Sequence, residues 1–308
     1  MPVTVVGSLN EDVLVRVDRL PGRGETVVGG DVVLAPGGKG ANQAAAAARL
    51  GPGVAMVGRV GDDAAGERQR GALRDVGVDV DAVTTTPDVP TGTATIPVEE
   101  DSGENLIVVV PGANGRVTAA DVEIPAVRTA DVVLLQLEIP LDAVLAASSA
   151  AAGTVVLTPA PPRPLPPELL DRVDVLVPNE HELTQLAGAT GRERNAAELA
   201  ALARRVTRRT VVVTLGARGA LLVRDDGSPV LLQPTPEVVP VDTTGAGDCF
   251  CGALAQALAT DPDLPAAVRV AVTAAALSTT GPGARGALPD AAAVQALLTR
   301  VPAPSPVG

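Results

Sequence analysis

The chain has 308 residues, enough for two average domains or one large α/β domain with a core that needs no covalent staples. A formal charge of −12 excludes a sequence-independent grip on nucleic acid, which requires a basic face. With no Trp, no Tyr and a single Phe, the core has to be built from Val, Leu and Ala.

The first predicted element is a buried strand at 3–9, VTVVGSL. It is not preceded by the basic segment of a leader, and no apolar run in the chain approaches the ~18 residues of a membrane span, so a cytoplasmic protein without membrane partners is expected. Residues 12–17 (DVLVRV) alternate apolar and polar, as a strand with one wet face does. Next comes APGGKGANQAAAAARLG (35–51), a glycine-rich loop opening a helix over 40–51. It is not the G-x-x-x-x-G-K-[ST] phosphate loop, because Gly40 follows Lys39 and no glycine lies five residues before Gly38. Lys39 is the sole lysine. Either composition has replaced the others by arginine, or this position rejects a guanidinium.

A strand at 54–58 and a helix at 63–76 follow, then a β-hairpin over 91–110 turning at Asp101-Ser102-Gly103. Val/Leu runs without alternation at 130–138, 153–158, 172–178 and 209–216 read as strands buried on both faces. Helices at 140–152, 179–187 and 195–206 separate them, which predicts a parallel sheet with right-handed crossovers. The proline-rich stretch 159–167 reads as a stiff loop, and the last third as helices at 246–260, 265–280 and 289–300.

Chemistry concentrates in VDTTGAGDCFCGAL (241–254), a glycine turn opening an apolar helix. The first amides of a helix lack internal partners and, with the helix dipole, attract an anion. Asp248 in that first turn either stabilises its own helix or is placed to take a proton during phosphoryl transfer. Cys249 and Cys251 are too close for an ordinary structural disulfide and read as buried, reduced thiols. His181, the only histidine, has no second ligand beside it and reads as a surface helix residue.

These segments resemble the ribokinase-like (PfkB) carbohydrate kinases. GSLNED (7–12), PGRGETVVGG (21–30), GGKGANQAAAAARLG (37–51), QLEIP (136–140), PNEHE (178–182), TLGARG (214–219) and DTTGAGD (242–248) occur in the family's order. The resemblance implies one domain over 1–308, a three-layer α/β/α sandwich with a mainly parallel central sheet and a small β-sheet lid from about 11–34 and 91–110. It implies ATP-dependent phosphorylation of a sugar, with O5 of D-ribose as the leading expectation. Kinases for deoxyribose, fructose, other ketoses or nucleosides, and a non-catalytic sugar-binding protein, are the alternatives. A nucleoside kinase is disfavoured because only Phe250 could stack on a base. A dinucleotide-binding dehydrogenase is disfavoured because no G-x-G-x-x-G follows the first strand.

By the same resemblance, Asp248 is the base and the amides of Gly245, Ala246 and Gly247 form the anion hole. Asn10, Asp12, Gly38, Lys39, Asn42 and Glu138, with Asp248, hold the sugar. Asn179, Glu182, Thr214, Gly216, Gly219 and Gly247 hold the nucleotide and its Mg²⁺. Asp242, Thr244, Ser278, Gly281 and Gly283 surround an activating K⁺, with Ala287 where a hydroxyl ligand is often found. The lid sheets imply a homodimer.

Overall fold

Successive side chains of a strand point to opposite faces, so a Val/Leu run without alternation needs a helical layer on each side. In the computed structural model, which describes residues 2–191 and 194–307, the strands are β1 (Val3–Val6), β2 (Asn10–Val17), β3 (Gly29–Gly37), β4 (Val54–Gly61), β5 (Val83–Thr86), β6 (Gly92–Glu99) and β7 (Val108–Val110). They continue as β8 (Val132–Leu135), β9 (Thr154–Leu157), β10 (Val175–Leu176), β11 (Thr210–Thr214), β12 (Ala220–Val223), β13 (Leu231–Gln233) and β14 (Ser305–Pro306). A ten-stranded sheet has the order β14-β13-β12-β11-β10-β9-β8-β1-β4-β5. Its neighbours are parallel from β11 to β5, and β12, β13 and β14 extend one edge antiparallel.

The two faces divide the core by parity. Val3, Val5, Met56, Val132 and Leu134 pack with helices Lys39–Leu50, Ala246–Thr260 and Leu264–Ser278. Val6, Val57, Val133 and Leu135 pack on the other side with helices Leu141–Ala150, Glu180–Leu186 and Ala196–Val206. Full burial of each such side chain contributes roughly 1.5–3 kcal/mol. The expected α/β/α sandwich is present.

A separate four-stranded sheet has the order β3-β2-β6-β7. β2 pairs antiparallel with β3 and parallel with β6, and β6 and β7 form the expected hairpin. Its turn closes at the expected tripeptide, Gly103 N donating to Glu99 O at 2.9 Å. The chain patterns did not announce β3, β5, β12, β13 or β14. β3 is exposed along most of its length, so no burial pattern marks it. Among the described residues, no helix is long and apolar enough to cross a membrane.

Candidate active site

The site assembles at the carboxyl ends of β1, β8, β10 and β11, where the strands release the chain into loops. Two helices converge there, Lys39–Leu50 and Ala246–Thr260, and their small side chains explain how closely. Ala44, Ala45, Ala46 and Ala47 on one helix and Cys249, Gly252 and Ala253 on the other are buried. A Cβ on Gly252 would lie 2.3 Å from the Gln43 carbonyl oxygen and 2.8 Å from Ala46 Cβ, so the backbones touch.

That contact brings the two helix starts together. Asn42 Nδ2 donates to Asp248 Oδ2 at 3.1 Å, and Gln43 Nε2 donates to Asp248 Oδ1 at 3.0 Å. Each amide is oriented from behind. Arg285 Nε donates to Asn42 Oδ1 at 2.8 Å, and Gln136 Nε2 donates to Gln43 Oε1 at 2.6 Å. At the head of the first helix, Glu138 Oε2 accepts from Ser8 Oγ and from Lys39 N, the latter at 3.1 Å. Lys39 is held above the usual lysine range, first by the Asp248 charge against an opposing burial effect, then by Glu138 and Glu182.

Asn10 opens β2 and is buried, its Oδ1 accepting from Asn114 Nδ2 at 2.7 Å. Asp12 is pushed up to about 6 by burial; Arg285 opposes the rise, while Glu138 and Asp248 add to it. Asp248 is thus within electrostatic reach of both Lys39 and Arg285, with Glu138 beside Lys39 and Asp12 beside Arg285. Acceptor carboxylates, an ammonium and amides that both donate and accept suit a neutral polyol.

Asp248 also lines a cavity of about 150 Å³, together with Lys39, Asn179, Glu182, Gly245 and Gly247, among others. Asn179 and Glu182 form a capping box for helix Glu180–Leu186 with two bonds of 2.8 Å, so the local role and a role at the cavity coincide. Burial raises Glu182 above its ordinary value, against the Asn179 amide and Lys39. Gly245 precedes helix Ala246–Thr260 at φ 74°, a left-handed conformation that favours glycine. Of the three amides expected as an anion hole, that of Ala246 donates to Thr243 O at 3.2 Å and is engaged in the turn.

The same helix start also borders a larger cavity of about 900 Å³. Thr214, Gly216, Gly219 and Gly247 line it together with Val239, Phe250, Val272 and Ala276, an apolar slot with few polar groups. Gly219 is also required by the fold, since a Cβ there would come 1.9 Å from Gln233 O.

Asp242 ties the remaining predicted cluster. Its Oδ1 accepts from Thr244 N at 2.8 Å and its Oδ2 from Gly283 N at 2.7 Å. Burial alone would push the carboxyl up, but the Thr244 hydroxyl together with these two amides outweighs it and holds the group below its ordinary value. Its own amide donates to Thr279 O at 3.1 Å, which sets Ser278 and Gly281 alongside in the chain. Asp242 and the backbone oxygens of these loops are of the hard donor type that a monovalent cation would require. Among the described residues no cluster of three or more His, Cys, Asp or Glu is built to hold a metal.

Four participants escaped sequence reasoning. Gln43 belongs to the GGKGANQ segment, and Gln136 to QLEIP, two positions before Glu138. Asn114 and Arg285 lie in no motif; only tertiary packing brings them in.

A model of the pfkB family carbohydrate kinases matches residues 2–291. The ribokinase of Bacillus subtilis (strain 168) is 41% identical over 302 residues, covering 96% of this chain and 99% of the relative. The structure of Arabidopsis thaliana ribokinase complexed with ribose and ATP superposes with a TM-score of 0.86 at 38% identity, covering 96% of this chain and 98% of that one. Ribokinase from Thermotoga maritima superposes with a TM-score of 0.86 at 33% identity, covering 96% and 99%.

Proposed function

The chain belongs to the pfkB family of carbohydrate kinases, and we propose that it transfers the γ-phosphoryl group of ATP to O5 of D-ribose, giving D-ribose 5-phosphate and ADP. The observation that carries the reading is the place of Asp248: held by Asn42 and Gln43 from the sugar side, and bordering the cavity of Asn179, Glu182 and Gly247 on the other.

The sugar's primary hydroxyl meets Asp248, which takes its proton as the oxygen bonds to the γ-phosphorus. The bond from phosphorus to the ADP oxygen breaks, and ADP departs through the large cavity that takes adenine and ribose. Positioning outweighs nucleophile basicity in a loose phosphoryl-transfer transition state, so an aspartate suffices as base. The amides of Gly245 and Gly247 and the Lys39 ammonium face the transferring group, and the Ala246 amide joins them where the Thr243 turn opens. Losing one such donor typically lowers kcat by about 10²–10³.

Mg²⁺, when bound, neutralises phosphate charge; Asn179 and Glu182 would hold its waters. Asp242 and the carbonyls of Thr244, Ser278, Gly281 and Gly283 would hold K⁺ behind the anion hole. The sheet β3-β2-β6-β7, rooted at Asn10 and Asp12, acts as a lid over the sugar, and its exposed valines pair two copies into a homodimer. Free, buried Cys249 and Cys251 and the need for ATP suit the cytosol.

The test is ATP consumption over a panel of ribose, 2-deoxyribose, fructose and adenosine, with and without K⁺. Ribose should give the highest kcat/KM, with K⁺ increasing turnover. Preference for adenosine or fructose would overturn the substrate assignment.

A further inference from the structure

Arg285 lies in the loop after helix Leu264–Ser278, outside every segment that located the site. Two of its nitrogens are engaged: Nε donates to Asn42 Oδ1 at 2.8 Å, and Nη2 donates to the Gly37 carbonyl at 3.2 Å. Its Nη1 is buried without a partner. A guanidinium carries only donors, so a buried, unpartnered one is completed by an acceptor that the protein itself does not provide.

Asp12 approaches the same place from β2. Its carboxylate lies over Gly37, where an added Cβ would come within 2.1 Å of Oδ2. Gly37 is the residue whose carbonyl Arg285 holds. Asp12 and Arg285 act on each other through their charges without an ion pair or hydrogen bond between them among the described residues. Burial draws Arg285 down to about 10, against the pull of Asp12 and Asp248, so it stays a cation at neutral pH. A hydroxyl can donate one proton and accept two, so one placed here donates to Asp12 and accepts from Nη1. With O5 placed at Asp248, as in the reading above, and Asn42 spanning from Asp248 to Arg285, that hydroxyl is one carried by the ring itself rather than by C5.

We propose that Arg285 is a specificity-determining residue of the sugar site, its Nη1 donating to the ring hydroxyl, at C2 or C3, from which Asp12 accepts. The assignment rests on the ribose kinase reading above.

Steady-state kinetics of Arg285→Met and Arg285→Lys against the unmodified enzyme test it, with ribose, 2-deoxyribose and 3-deoxyribose as acceptors and melting temperatures as the folding control. Arg285→Met should raise the ribose KM about 10- to 100-fold, the weight of a charge-assisted hydrogen bond, with the ATP KM changed less than about twofold. This KM penalty should vanish for the deoxy sugar that lacks the contacted hydroxyl, whereas the kcat loss from freeing Asn42 falls on all three sugars alike. Arg285→Lys, keeping charge without the planar fork, should recover part of the loss. An unchanged ribose KM, or an equal KM penalty on all three sugars, would overturn the assignment. If Arg285→Met melts markedly lower, Arg285→Lys carries the same three-sugar comparison. An unmodified enzyme without ribose-dependent turnover defeats the functional reading; one active on ribose but indifferent to Arg285 defeats this inference alone.

Discussion

Asp248 accepts from two side-chain amides, and an amide has a donor end and an acceptor end. Because Arg285 and Gln136 donate to the oxygens of Asn42 and Gln43, the nitrogen ends are forced toward Asp248. The carboxylate is thereby fixed in rotation before substrate arrives. Asp248→Asn should lower kcat about 10²–10⁴-fold, the usual weight of a general base, with ATP affinity measured by calorimetry largely retained. Substantial residual turnover would remove Asp248 from the base role. Asp12 gives a pH signature. Its folded value, about 6, lies above the ordinary 3.8 because of burial, so its contribution to stability is full below about 3.8 and is lost as pH rises through about 6. Asp12→Asn should therefore melt higher than the unmodified protein at pH 7.5, the gap closing toward pH 4. The ribose KM of the unmodified protein should rise as pH falls below about 6, when the acceptor is protonated, and that of the variant should not. Lys39, Asn42 and Asp248 stood out in the sequence because each lies in a short glycine-rich stretch that opens a helix. Arg285 did not, because nothing local distinguishes it from the other arginines.

The decisive element pair is the two helices that meet at Gly252. Gly252→Val would place a branched side chain against the Gln43 carbonyl, its Cβ only 2.3 Å from that oxygen, and the helices would have to separate. Overpacking of this kind destabilises by about 1–3 kcal/mol. The melting temperature should fall, and kcat should fall further than stability alone explains, because Asn42 and Gln43 withdraw from Asp248. Retained kcat in a folded variant would show that the amide pair is dispensable. The parallel strands were legible because burial on both faces forces unbroken Val/Leu runs. The edge strands were not: β12, β13 and β14 are short and are recruited by their antiparallel neighbours. β3 is shaped by pairing to β2 and has no core face of its own.

At the scale of the molecule, the small sheet leaves Val32 58%, Val33 52%, Val108 61% and Val110 52% exposed on its two outer strands, β3 and β7, and exposed apolar surface of this kind marks interaction sites. Val33→Asp should shift the protein toward monomer in sedimentation velocity and raise the ribose KM; an unchanged mass in solution for both proteins, at the monomer value, would remove pairing through the lid. The seven ordered segments pointed to both halves of the candidate site, whereas the exposed lid residues 32–34 and 106–110 lie in no segment that does so. Lys39 has one more consequence. The chain contains a single side-chain amine, and it lines the small cavity beside Asp248. An acylating reagent selective for amines therefore finds one side chain to modify in the whole protein. Inactivation by such a reagent should follow a single exponential, and its slowing by ribose or by ATP would report which ligand covers that amine, turning an accident of composition into a built-in footprint of occupancy.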